Sequence, residues 1–321
     1  MSDPRRTYLA LTGGVGGAKL GLGLARRLGP DALAFLVNTG DDFEHLGLHV
    51  SPDLDTLMYT LAGLANPETG WGRVGESWQF IESFERLGGA GWFKLGDRDL
   101  AVHVRRTQRL REGVPLSAVT RALNAALGVR HPIFPMSDAP VPTRVLTPAG
   151  PLMFQHYFVR ERCAPAVTGF EFHGAAAARL VPEAAAWIAD PALAGVVLCP
   201  SNPYVSIDPI LAVPGLREGL AAAAAPIVAV SPIVAGLAIK GPTAKMMAEL
   251  GVPNTALAVA AHYRDLLDGF IVDERDAALV GAIEALGIAA IAAPTVMVTL
   301  EDRTRLADIT IRFIEDLERS R

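Results

Sequence analysis

Four short stretches of this sequence carry residue types suited to phosphate and metal chemistry. Thr12-Gly13-Gly14-Val15-Gly16-Gly17-Ala18-Lys19 packs glycines where an apolar run gives way to a helical pattern. Glycine lets a backbone approach a ligand closely, and the free amides of a helix start attract an anion. A tight strand–helix turn alone also uses glycine, but this density favours phosphate binding. The stretch is no P-loop, since Ala18 precedes Lys19 and Leu20 stands where Ser or Thr belongs. It is no full dinucleotide fingerprint either, because Lys19 takes the place of the third glycine. The second stretch is Asn38-Thr39-Gly40-Asp41-Asp42, continued by Ser51-Pro52-Asp53-Leu54-Asp55. Its carboxylates could hold a hard divalent cation together with phosphate oxygens and water. Helix capping competes for Asp53 and Asp55, whereas Asp41 sits at a strand end.

The third stretch runs Cys199-Pro200-Ser201-Asn202-Pro203-Tyr204-Val205-Ser206-Ile207-Asp208-Pro209. Ser201, Asn202 and Ser206 can donate to phosphate or to a base edge. The plainer reading is a Pro-rich turn with a helix cap at Ser206 or Asp208. The fourth is Ser231-Pro232-Ile233-Val234-Ala235-Gly236, followed by Lys240, Thr243 and Lys245. Lysine is scarce here, and Lys19, Lys240 and Lys245 all fall beside these stretches. His45 and His49 have i,i+4 spacing, yet HExxH is absent, so packed or solvated imidazoles are expected rather than a zinc site. Cys199 reads as a small buried residue and not as a nucleophile.

These stretches need a scaffold that brings them to one edge. Short apolar runs at Tyr8–Thr12, Ala34–Asn38, Val196–Pro200, Ile227–Ser231, Phe270–Val272 and Ala289–Ala292 alternate with helical patterns. Helices are expected at Ala18–Leu28, Asp53–Leu64, Ala175–Ala189, Thr243–Leu250, Ala256–Leu267, Ala277–Leu286 and Asp302–Glu318. Strands spaced by helices predict an α/β, Rossmann-like, mostly parallel sheet covered on both faces. Such sheets bind ligands at the carboxyl ends of their strands. Residues 1–65 and 140–321 are expected to form this core. Residues 66–139, rich in Trp, Gly and Arg, read as a helical subdomain with helices at Glu76–Arg86, Asp97–Arg111 and Leu116–Leu127 and no clear buried strand. Arg144–Phe158 reads as a hairpin turning near Pro148–Gly150.

The 321 residues are half apolar and one-fifth charged, which excludes a disordered chain or a disulfide mini-domain. A net charge of −5 argues against a nucleic-acid partner. Gly219–Ile239 is uncharged, but Pro226 and Pro232 break it, so no membrane span is expected. Two cysteines without metal-type pairing, and no signal-like start, fit a cytoplasmic protein.

Taken together, Thr12–Lys19, Asn38–Asp42, Ser51–Leu61, Gly70–Gly72, Leu95–Ala101, Pro200–Leu211 and Ser231–Thr243 resemble the 2-phospho-L-lactate transferase family of coenzyme F-420 biosynthesis. The resemblance spans nearly the whole chain. It implies a Rossmann-like core with a helical subdomain over the site, a homodimer and a Mg²⁺ ion. It also implies transfer of a phosphate-linked three-carbon acid, phospholactate or its enolpyruvyl counterpart, from a guanylylated donor. The acceptor would be the ribityl hydroxyl of a deazaflavin, and GMP would leave. By motif match Asp41 and Asp53 would be the catalytic metal ligands. Asn38 and Asp42 would touch the metal shell or the acceptor. Thr12, Gly13, Gly14, Gly16 and Gly17 would face phosphates, Ser201, Asn202 and Ser206 the guanosine end, and Lys240 the donor. Trp71 would stack on the deazaflavin or belong to the subdomain core. Two rivals are a nucleotide-sugar-binding regulator from a related family and a nicotinamide-dependent oxidoreductase in which Asp41 holds a ribose hydroxyl.

Overall fold

The computed structural model describes residues 6–239 and 241–321. In chain order it begins β1 (Thr7–Thr12), α1 (Gly14–Arg27), β2 (Leu33–Val37), β3 (Phe43–His45), β4 (Leu48–Val50) and α2 (Pro52–Ala62). Next come α3 (Gln79–Arg86), α4 (Asp97–Arg111), α5 (Leu116–Ala126), β5 (Ile133–Pro135), β6 (Thr143–Leu146), β7 (Leu152–Met153) and β8 (Gly169–Phe172). The second half holds α6 (Pro182–Ile188), β9 (Leu193–Leu198), α7 (Asp208–Leu211), α8 (Leu216–Ala222), β10 (Ile227–Val230), β11 (Ile233–Val234) and β12 (Leu237–Ala238). It closes with α9 (Thr243–Glu249), α10 (Ala256–His262), β13 (Gly269–Asp273), α11 (Val280–Glu284), β14 (Ala289–Ala293) and α12 (Leu300–Ser320).

Seven strands form one parallel sheet in the order β14-β13-β10-β9-β1-β2-β5. The chain winds outward from β1 to β5, then returns to β9 on the other side of β1. Strand order therefore reverses between β1 and β9, and the crevice beyond their carboxyl ends is where such sheets take ligands. Both faces of the central strands are covered, so these strands are largely apolar rather than alternating. Along β1, Leu9 and Leu11 join one core with α6, α8 and α10. Tyr8 and Ala10 join the other with α1, α2 and α12. That period of two is the pleat of a strand buried on both sides.

Several local expectations differ from the fold. Helix α1 begins at Gly14, so the glycine stretch is largely the first turn of the helix and not a loop before it. His45 and His49 lie on the hairpin β3–β4, where His45 pairs Leu48 and His49 pairs Glu44. Leu46 and Gly47 both have positive φ, as a two-residue hairpin turn of the I′ kind requires, so the spacing that suggested a helix spans a chain reversal. Residues 66–139 contain β5, which pairs in parallel with β2 at the sheet edge. Ala175–Ala189 splits into a 3₁₀ turn and α6, broken by Pro182 at the helix start. The expected hairpin after Arg144 is present as β6–β7, joined on its other side by β8. No helix among the described residues is long and apolar enough to cross a membrane.

Candidate active site

A cavity of about 490 Å³ opens at the β1–β9 crevice. Its walls come from the first turn of α1, the ends of α2 and α4, and the loops after β2, β9, β10 and β14. Of the residues expected at the site, Gly13, Gly14, Gly16, Asp41, Asp53, Trp71, Ser201, Asn202 and Ser206 line it. Thr12, Gly17, Asn38 and Asp42 stand behind that lining, and Lys240 lies outside the described residues.

One side chain ties the floor together. Asn38 Nδ2 donates to Asp41 Oδ1 at 3.0 Å, to Asp53 Oδ2 at 2.9 Å and to the Val205 carbonyl at 3.2 Å. Its own Oδ1 accepts from the Gly40 amide at 2.8 Å. The end of β2, the start of α2 and the loop after β9 thus meet at one amide, and the two carboxylates converge on it. Asp53 reaches this point because Ser51 and Pro52 start α2 there, where helix-start carboxylates are favoured. Asp53 Oδ1 also accepts from the Gly14 amide at 2.7 Å, so one orphan donor of α1 is already satisfied.

The glycines serve packing as well as ligand access. A Cβ on Gly16 would lie 2.4 Å from the Pro200 carbonyl, and one on Gly17 would strike Thr12 and Ser201. A Cβ on Gly13 would come within 2.7 Å of Asp53 Oδ2. Gly13 and Ser201 exchange hydrogen bonds, amide to Oγ at 3.2 Å and Oγ to carbonyl at 2.8 Å. Gly14 differs: its φ is +66° and nothing stands where its Cβ would be, so this position faces the open cavity. Asn202 Oδ1 caps the turn that follows, accepting from the Tyr204 and Val205 amides. That cap stands in place of the one expected at Ser206 or Asp208.

Burial and mutual repulsion govern the acids. Burial, then the charge of Asp53, hold Asp41 well above the ordinary carboxylate range. Burial pushes Asp53 up to about 6, against the hydrogen bonds from Asn38 and Gly14. Asp42 is raised by burial, and its Oδ2 accepts from Ser51 Oγ at 2.8 Å with His49 Nε2 at 3.0 Å. Its Oδ1 is buried without a partner among the described residues. Two facing acids that cannot both ionise comfortably, beside an orphan carboxylate oxygen, are what a hard divalent cation would relieve.

Sequence reasoning missed a second polar wall. Tyr59 on α2 donates to Asp99 Oδ1 at 2.5 Å, and His103 Nε2 lies 3.3 Å from Asp99 Oδ2. Arg106 grips both oxygens of Asp55. Asp55, Asp99 and His103 offer atoms within 4.8 Å of one another, a spacing at which such a group could hold a metal ion. The signal was present as Asp99, His103 and Arg106 at i, i+4 and i+7 of one helix. Lys19 lines the cavity and donates to the Met297 carbonyl at 2.9 Å. Lys245 does not join the site, because Glu249, Pro165 and Tyr157 take its ammonium.

A doubly wound parallel sheet with acids and a helix start at its switch crevice defines an α/β protein with its candidate ligand site at the carboxyl ends of the strands. The match to known proteins makes the class specific. The family described as 2-phospho-L-lactate transferase CofD matches residues 9–296, and the chain belongs to it; it is a transferase. A phosphoenolpyruvate transferase of Streptomyces griseus is 43% identical over 318 residues, covering 96% of this chain and 98% of that one. A 2-phospho-L-lactate transferase of Methanosarcina mazei is 36% identical over 304 residues, covering 95% and 99%. A crystal structure of a upf0052 family member from Bacillus halodurans matches in fold, with TM-score 0.62 and 15% identity over 97% of this chain and 100% of that one.

Proposed function

We propose that this chain carries out the transfer step of coenzyme F-420 biosynthesis. A guanylylated three-carbon phospho-acid is the donor, the terminal ribityl hydroxyl of a 7,8-didemethyl-8-hydroxy-5-deazariboflavin is the acceptor, and GMP is the leaving group. The observation that carries this reading is the meeting of Asp41, Asp53 and the α1 start at one crevice, in a chain of this family.

Asp41 and Asp53 would hold a Mg²⁺ ion, which when bound supplies charge neutralisation at the phosphates. The first-turn amides of α1 orient the diphosphate, with Gly14 leaving room for close approach. Ser201, Asn202 and Ser206 line the guanosine side. The attacking hydroxyl oxygen forms the new bond to phosphorus as the bond to the GMP oxygen breaks, and Asp41 or Asp42 takes the hydroxyl proton. Such transfer needs in-line positioning and charge neutralisation more than a covalent nucleophile. Residues 66–139 act as a cover: Trp71, Phe93, Asp99 and His103 from this segment face the cavity. Trp71, about half exposed at the rim, offers a flat apolar surface to the deazaflavin ring. The reading carries with it a cytoplasmic homodimer.

The test is product mass spectrometry after supplying the deazaflavin with guanylylated phospholactate or guanylylated phosphoenolpyruvate, with and without Mg²⁺. A deazaflavin bearing the phospho-acid, together with GMP, is the expected result. Absence of both products with every donor overturns the reading.

A further inference from the structure

A second group of acids lines the same cavity as the glycines. Asp55, Asp99 and His103 have metal-ligand spacing, and Asp55 and His103 are buried. His103 is 1% exposed, and among the described residues its Nε2 has no hydrogen-bond partner, with Asp99 Oδ2 3.3 Å away. An imidazole nitrogen with two carboxylates suits a borderline metal such as Zn²⁺ or Co²⁺ better than Mg²⁺. The group is not free to take one. Arg106, itself 1% exposed, donates from Nη1 to Asp55 Oδ2 at 3.0 Å and from Nη2 to Asp55 Oδ1. Its Nη1 also lies 3.3 Å from His103 Nδ1. The guanidinium therefore sits against the His103 ring nitrogen as well as against the Asp55 carboxylate. Arg106 thus sets a permanent positive charge against two of the three ligand groups.

We propose that Arg106 is the resident cation of a latent metal site. It denies Asp55, Asp99 and His103 to nitrogen-preferring ions and so reserves the divalent ion of this pocket for the oxygen-only pair Asp41 and Asp53. The role rests on the reading that those two acids bind the ion. Arg106 is therefore a specificity-determining and positioning residue. It need not touch substrate.

Cobalt is the probe, because a histidine ligand in a distorted site gives it visible absorption. Co²⁺ is titrated into the wild-type protein and into the variants Arg106→Ala, His103→Ala, and the two combined, with bound metal counted by equilibrium dialysis. In the wild type, His103→Ala is expected to leave cobalt affinity unchanged. Arg106→Ala is expected to gain a further cobalt equivalent with visible absorption, and adding His103→Ala removes it. The proposal is overturned by a His103→Ala change that weakens wild-type cobalt binding by about tenfold or more, since the cluster would then be a working site. It is equally overturned if folded Arg106→Ala takes up no further cobalt. Should Arg106→Ala fail to fold, Arg106→Met keeps the side-chain bulk, and the wild-type comparison needs no Arg106 variant at all. Asp41→Asn and Asp53→Asn form a separate arm. If these leave wild-type cobalt binding intact, the ligand assignment falls and the reserving role with it, while exclusion of cobalt by Arg106 is still read from the Arg106→Ala arm.

Discussion

Asn38 offers one nitrogen to two acids, and that shared contact sets what each acid does. Asp41→Asn and Asp53→Asn keep the shape of the floor but remove the charge an ion needs. Each is expected to lower turnover by at least about 100-fold, with an unchanged circular dichroism spectrum. Turnover within a few-fold of wild type at limiting Mg²⁺ contradicts the assignment. The same acids give a pH signature to the metal-free chain. Asp53 titrates at about 6 when folded, against an ordinary 3.8. An acid raised in this way favours the folded state while it is protonated. Its contribution is complete below 3.8 and is lost as pH rises through about 6. The melting temperature of metal-free protein is expected to fall across that window relative to Asp53→Asn, and Mg²⁺ should offset the fall by stabilising the wild type alone. Parallel melting curves for the two proteins, with and without Mg²⁺, rule this out.

Helix α1 makes two close approaches that differ in purpose. Gly16 abuts the Pro200 carbonyl at the pocket, while Gly23 abuts the Arg303 carbonyl of α12 at the far end. Both substitutions to alanine overpack backbone against backbone and are expected to cost about 1–3 kcal/mol of stability. Gly16→Ala should also raise the donor KM, because it pushes the helix start off the loop after β9. Gly23→Ala should leave KM alone. Denaturant melts and steady-state kinetics on the pair decide it, and equal KM values would show that the glycine start is not part of the binding surface. The elements were legible where physics repeats itself. Strands buried on both faces are continuous apolar runs, so β1, β2, β9, β10 and β13 stood out in the sequence. Strand β5 is only Ile133–Pro135, too short for a pattern and ending in a residue that cannot donate, so it vanished among helices. The hairpin β3–β4 was hidden by Glu44, His45 and His49, polar residues whose placement depends on a turn at Leu46. Asp41, Asp53 and the glycines were legible as strand-end motifs. The Arg106 wall was not, because α4 reads as an ordinary arginine-rich surface helix until α2 covers it.

At the scale of the whole molecule the sheet divides labour along its edge. The start of α1 and the loop after β9 supply polar lining, and the segment after α2 contributes the aromatic residues Trp71 and Phe93. Trp71→Ala is expected to raise the acceptor KM while leaving GDP affinity, measured by calorimetry, unchanged. A matching loss of GDP affinity would place the ring at the nucleotide end instead. The crevice has another implication, drawn from the bonds between Gly13 and Ser201. These partners stand 188 positions apart, so neither half of the polypeptide alone holds the diphosphate site proposed above. A chain severed at the exposed turn near Ala149 should therefore be silent toward GDP as separate fragments and regain the signal only on reassembly. Nucleotide titration would then act as a built-in gauge of whether the two windings have closed on each other.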